Sequence, residues 1–123
     1  MIDRIKRAEK SGFLSLKDYG LSEIPPEVWE LTGLKTLILS NNPLQKIPKE
    51  IAALKSLKVV QLADCSLFDD SFPEEITTLP LEELTLTSNG ITDFSLMTKI
   101  PTLKRLNLAG NDIVEIPVTV ELW

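Results

Sequence analysis

Apolar and polar positions along this chain follow a pattern that returns. In segment 34–54 the apolar positions are Leu34, Leu37, Leu39, Leu44, Ile47, Ile51 and Leu54, with Asn42 and Pro48 between them. Segment 103–123 carries Leu103, Leu106, Leu108, Ile113, Ile116, Val120 and Trp123 at the same offsets, with Asn111 and Pro117. In a chain that is 43% apolar, the odds that all fourteen of these positions are apolar are roughly one in a hundred thousand, so the repeat is real. Three further copies share the register. The first keeps Leu14, Leu16, Leu21, Ile24, Pro25, Val28 and Leu31 but has Tyr19 at the Asn position. The third keeps Leu57, Val60, Leu62, Leu67, Phe72, Pro73, Ile76 and Leu79, with Cys65 at that position and two extra residues before Phe72. The fourth keeps Leu81, Leu84, Leu86, Asn89, Ile91 and Phe94 and then loses the Ile-Pro step. Units begin near Ser11, Leu34, Leu57, Leu81 and Leu103, at spacings of 23, 23, 24 and 22 residues.

Each unit predicts the same two elements. In L-x-x-L-x-L, alternate residues of a short strand point into a core and those between them to solvent. The Asn three places later has both donor and acceptor, so it can bond the buried backbone of neighbouring turns. Cysteine tolerates burial there at some cost in hydrogen bonding. The I-P-x-x-I-x-x-L tail spaces its apolar residues by three, which suits a 3₁₀ or short helical return, and its proline is tolerated in the first turn. One unit cannot bury its own apolar edge, so the units are expected to stack into a solenoid with one short parallel sheet.

The ends of a solenoid need covering. Ile2, Ile5 and Ala8 fall on one helical face with Ser11-Gly12 as a stop, which predicts a capping helix over 1–12 ahead of a five-repeat solenoid over 13–123, one domain overall. A basic amphipathic helix for a membrane or a partner is the alternative, weakened by Asp3 and Glu9 among the cations. At the other end, Trp123 is expected to fold over the exposed core; VTVELW also alternates, so an edge strand pairing between molecules is the other reading. Trp29 reads as convex-side packing.

These motifs resemble the leucine-rich-repeat family over residues 12–123. The 23-residue form with I-P is similar to the intracellular Ras-group class, and LEELTLTSNGITDFSLMTKIPT to the 22-residue class of the protein phosphatase 1 regulatory subunit. The opening GFLSLKDYGLSEIP is similar to the first repeat of short cytosolic members. The resemblance implies an α/β solenoid: a right-handed superhelix with a parallel concave sheet and convex 3₁₀ or helical turns. It also implies protein binding on the concave sheet.

Composition narrows the functional classes. A net charge of −5 and scattered Lys and Arg, densest at Arg4, Lys6, Arg7 and Lys10, argue against phosphate binding as the main purpose, so no nucleic-acid partner is expected. With Cys65 alone there is no intramolecular disulfide, and no N-x-[ST] acceptor occurs. The first ten residues carry six charges and do not read as a secretory signal, and no apolar run is long enough to span a membrane. A cytoplasmic, intracellular location is therefore expected.

Chemistry has few candidates. There is no histidine, which removes the commonest general base, and no G-x-x-x-x-G-K-[ST], G-x-G-x-x-G or C-x-x-C motif. Cys65 reads as buried filler rather than a nucleophile. The acidic pairs Asp69-Asp70, Glu74-Glu75 and Glu82-Glu83 read as solvated faces, since adjacent carboxylates diverge. Asp69-Asp70-Ser71 coincides with the insertion and reads as a loop, with a secondary contact as the alternative. No catalysis, cofactor, metal or small-molecule substrate is expected.

Register places the solvent-facing residues of the sheet without a structure. A first column reads Phe13, Thr36, Val59, Glu83 and Arg105; a second Ser15, Ile38, Gln61, Thr85 and Asn107. A third contains Lys17, Ser40, Ala63, Thr87 and Ala109, with Asp18, Asn41, Asp64, Ser88 and Gly110 on the rim. Phe13, Ile38 and Val59 are large apolar residues where the fold asks for none, so they are either a binding patch or ordinary strand formers with Phe13 under the cap. Glu83 and Arg105 are placed to pair. Five strands at about 4.8 Å give a sheet only ~20 Å wide, short of the ~800 Å² a standard interface takes from each partner, so a rim or an end must contribute. The expected function is a non-catalytic adaptor, itself monomeric or associating through its carboxyl-terminal edge. A targeting segment of a larger signalling enzyme, or a nucleoprotein component, are the alternatives.

Overall fold

Inward and outward residues alternate too briefly in each unit for a long strand, and each strand is three residues. The computed structural model describes residues 1–113. In it β1 (Phe13–Ser15), β2 (Thr36–Ile38), β3 (Val59–Gln61), β4 (Glu83–Thr85) and β5 (Arg105–Asn107) form one parallel sheet in chain order. Parallel pairing requires a crossover after every strand. The crossovers contain the 3₁₀ turns Pro26–Glu30, Lys49–Ala53, Glu74–Thr78 and Met97–Lys99. Their inward residues Val28, Ile51, Ile76 and Met97 meet the central strand residues Leu14, Leu37, Val60 and Leu84 in a single core. Proline stands one place earlier than expected: Pro48 and Pro73 occupy the cap position with extended ψ of 158° and 150°, and Lys49 and Glu74 open the turns. The fourth unit, without Ile-Pro, still turns, but over three residues rather than five.

The helix α1 (Ile2–Ser11) lies against β1 and buries Ile5 and Ala8. It stops at Gly12, whose left-handed φ of 74° lets its N–H reach Ala8 C=O at 2.9 Å. Ile2 departs from the expected buried face. It is 64% exposed, a turn further out than Ile5, beside Lys6 and the Glu27–Glu30 turn.

Asparagines tie successive coils together. Asn42, fully buried, accepts the Tyr19 and Leu21 N–H groups of the preceding coil (3.1 and 2.9 Å) and donates to Leu16 and Leu39 C=O (both 2.9 Å). Asn89 repeats this with the Cys65 and Leu67 amides (both 3.0 Å), and Asn111 with Ile91 (3.1 Å). The two exceptions have physical causes. Tyr19 belongs to the first coil, which has only α1 before it and so no preceding loop amides to satisfy. Cys65 keeps one cross-coil bond, from Sγ to Leu39 C=O at 3.2 Å, while the Leu44 N–H turns to Asn42 C=O at 2.8 Å instead. Burial pushes the Cys65 thiol pKa up, against the pull of the Asn42 amide.

The insertion in the third unit is a clasp rather than a slack loop. It forms a 3₁₀ turn, Asp69–Ser71, whose Ser71 hydroxyl accepts the Phe68 N–H (2.8 Å) and donates to Gln45 C=O (2.7 Å) in the coil before. Asp69 reaches forward, accepting the Thr92 and Asp93 N–H groups (2.7 and 3.0 Å) and the Thr92 hydroxyl. Partial desolvation would raise its carboxyl pKa, but those three donors together hold it below the ordinary value.

At the same offset beyond each strand stands a left-handed residue, Asp18, Asn41, Asp64, Ser88 and Gly110, with φ between 55° and 75°. Asp, Asn and Gly tolerate that region best. The expectations for Trp123, for VTVELW and for the last Ile-Pro step fall on residues 114–123, outside the described residues.

Candidate interaction surface

The strand pairing sets two rows of side chains on the concave face. Phe13 pairs with Thr36, Thr36 with Val59, Val59 with Glu83 and Glu83 with Arg105. Ser15, Ile38, Gln61, Thr85 and Asn107 follow in the same register. Most are half-buried by their neighbours, while Phe13, Arg105 and Asn107 are exposed.

The third column behaves differently, because three-residue strands end before it. Lys17 is exposed and Ala63 half-buried, but Ser40 is buried, its hydroxyl accepting the Ala63 N–H at 3.1 Å. Ser40 therefore belongs to the turn scaffold and does not stand on the open face with the other two. Its hydroxyl is consumed by the next coil, a use that column counting does not reveal.

Phe13 is 51% exposed, so α1 does not cover it. Val59 lies in the same row beyond Thr36, and Ile38 in the second row on β2, both as half-buried side chains. The apolar run ends at β4, where Glu83 forms an ion pair with Arg105. Below that row Glu82 lies between Lys58 (3.2 Å) and Lys104 (3.6 Å); the hydrogen bond from Lys58 and the charge of Lys104 hold its carboxyl pKa below the ordinary value. Such exposed pairs contribute little to stability but neutralise the carboxyl-terminal half of the face.

Charge on α1 is sorted by its helical faces, which the sequence reading missed. Arg4 and Arg7, three apart, line a shallow recess with Phe13, Leu14 and Ser15. The Arg4 guanidinium donates to Ser15 C=O (3.3 Å) and stands 5.7 Å over the Tyr19 ring. Lys6 and Glu9 instead face a separate recess lined by Glu27, Glu30 and Leu31. The signal was available: with Ile5 and Ala8 inward, positions 4 and 7 share one flank. Phe68, 53% exposed, was also passed over; it rests on Gly90, where a methyl would come within 3.0 Å of its ring. Among the described residues, no group of three or more Cys, Asp or Glu side chains is placed to hold a metal ion, and no helix is long and apolar enough to cross a membrane.

Comparison with known proteins bears on what such a face is for. Models of the leucine-rich repeat match residues 33–54 and 99–113. A plant intracellular Ras-group-related LRR protein of Oryza sativa is 32% identical over 97% of this chain, which spans 32% of that protein. Adenylate cyclase of Schizosaccharomyces pombe is 30% identical over 85% of this chain, which spans 7% of it. Among solved structures, an LRR protein of Leptospira interrogans superposes with a TM-score of 0.69 at 23% identity, over 98% of this chain and 37% of that one. The last likeness speaks to the fold alone.

Proposed function

The chain belongs to the leucine-rich-repeat family, and from that premise we propose that it is a non-catalytic adaptor binding a partner protein through its concave sheet. One observation carries the reading. Phe13, Ile38 and Val59 stand on three adjacent strands, alternating between the two rows of outward residues, on a face whose inward positions already complete the core. Nothing in the solenoid requires apolar residues there, and the largest of them is half in solvent. Thr36, Ser15, Gln61 and Thr85 around the run supply hydrogen-bonding groups, the mixture that a protein contact uses. Two outward residues per strand over five strands make a small platform, so α1 at one end joins the contact. We place the protein in the cytoplasm, a reading supported by the solitary cysteine and the plant intracellular relative.

A second reading has its own support. The likeness to a short stretch of an adenylate cyclase suggests that such a solenoid also serves as a targeting segment of a larger signalling enzyme.

The test is affinity capture with the wild-type chain and with Ile38→Asp/Val59→Asp/Gln61→Lys. Circular dichroism must first establish that the variant keeps its fold. Loss of the captured partner by the folded variant is the expected result; undiminished capture would overturn the concave-face reading.

A further inference from the structure

The basic flank of α1 and the apolar start of the sheet form one surface, and we propose that it takes an extended peptide segment that is both apolar and acidic. The proposal rests on the concave-face reading and adds the chemistry of the partner. Strands β1 to β3 present Phe13, Thr36 and Val59 in one row and Ser15, Ile38 and Gln61 in the other, without a single charge. Exposed cations stand beside them: Arg4 and Arg7 share a recess with Phe13, and Lys17 follows β1. The ion pairs found among the described residues join Lys58, Glu82, Glu83, Lys104 and Arg105, beginning beside Val59 and running to β5. Asp18 and Asp64 stand on the turn rim beyond the strands.

The chain as a whole is acidic, with 18 Asp and Glu against 13 Lys and Arg. A group of exposed cations beside Phe13, the exposed member of the apolar group, is therefore a departure from the molecule's own background. Carboxylates on a partner would be drawn to that end in preference to the ion-paired end, which biases the orientation of docking as well as its rate. The apolar run spans three strands, about 10 Å, or roughly three residues of extended chain. Reaching Arg4 and Arg7 from there needs a few residues more. A segment with one or two large apolar side chains over Ile38 and Val59, and carboxylates running toward α1, satisfies both halves of the surface. Three cations are too few for a nucleic-acid backbone to dominate binding against the surrounding negative charge.

Selection of a random dodecapeptide display library on the whole chain tests this. Enriched peptides should carry net negative charge with Leu, Phe or Trp. Their affinity, read by fluorescence anisotropy of labelled synthetic copies, should fall as salt rises from about 50 to 300 mM. Arg7→Gln should weaken them about threefold and Arg4→Gln/Arg7→Gln about tenfold, while Ile38→Asp/Val59→Asp should remove binding. Because Arg4 also contacts Ser15 and Tyr19, Arg7→Gln is the cleaner variant, and thermal unfolding of each variant confirms its fold. Four outcomes would overturn the proposal: neutral or basic enriched peptides, affinities unchanged in both arginine variants, no enrichment at all, or binding instead to phosphatidylserine vesicles that Arg7→Gln abolishes. Should capture still depend on Ile38, Val59 and Gln61 in the preceding experiment, the concave-face reading stands and only the acidic chemistry fails.

Discussion

Replacing Asn42 with alanine removes a side chain that bonds two coils at once. Its Oδ1 accepts the Tyr19 and Leu21 N–H groups, and its Nδ2 donates to the Leu16, Leu39 and Ser40 carbonyls. The Leu39 carbonyl keeps a second donor in Cys65 Sγ and the Ser40 carbonyl keeps the Asp18 N–H, whereas the Leu16 carbonyl loses its Asn42 donor, a smaller loss than that of an amide. The two amides lose their acceptor outright. An unsatisfied buried donor costs about 1–3 kcal/mol, and these are only partly buried, so the pair should cost roughly 2–4 kcal/mol. Against the ~5–15 kcal/mol usual for a domain, that is a large fraction. A fall in melting temperature on the order of 10 °C should follow. Equilibrium urea unfolding followed by circular dichroism measures the loss, and amide hydrogen exchange locates it, because protection should drop first at Tyr19 and Leu21. Cys65→Ala is the internal control. It occupies the equivalent position but supplies one weak cross-coil bond, so its cost should stay near ~1 kcal/mol. Equal costs for the two variants, or unchanged protection at Tyr19 and Leu21, would refute the coil-tying role.

Two further predictions concern the clasp in the third unit. Gly90→Ala would press a methyl against the Phe68 ring at 3.0 Å, and since that ring can swing outward the loss should be about 1 kcal/mol or less; in a Phe68→Ala background the same change should be neutral or slightly stabilising, and an equal cost in both backgrounds would count against the contact. Asp69 has a folded pKa below its ordinary value, so its contribution is present above the unfolded value of about 3.9 and is lost as pH falls through the lower folded one. The stability difference between wild type and Asp69→Asn, from thermal unfolding, should therefore hold at neutral pH and shrink in acid below about pH 4; a difference that grows on acidification would contradict the assignment.

The repeat, its parallel sheet and the two rows of the concave face were legible in the sequence, because a period-two strand and a recurring apolar spacing each follow from local geometry. Phe13 facing Thr36 and Val59 needs only the knowledge that successive units stack in register. The rim residues stood at one offset as Asp, Asn, Ser and Gly, though their left-handed conformation did not follow from the repeat. Other features depended on which coil lies beside which. Ser40 reads as an outward residue until the next coil's Ala63 amide takes its hydroxyl. The Asp69–Ser71 insertion reads as a loop until Gln45 on one side and Thr92 on the other give its polar groups partners. Arg4 and Arg7 read as two of four scattered cations until α1 docks, burying Ile5 and Ala8 and turning the arginines toward Phe13. Periodicity assigns a residue to the inside or the outside, since that is a property of one chain segment. Which polar group finds a partner, and which charge is left facing an apolar patch, is a property of two segments brought together, and only the stacked solenoid decides it.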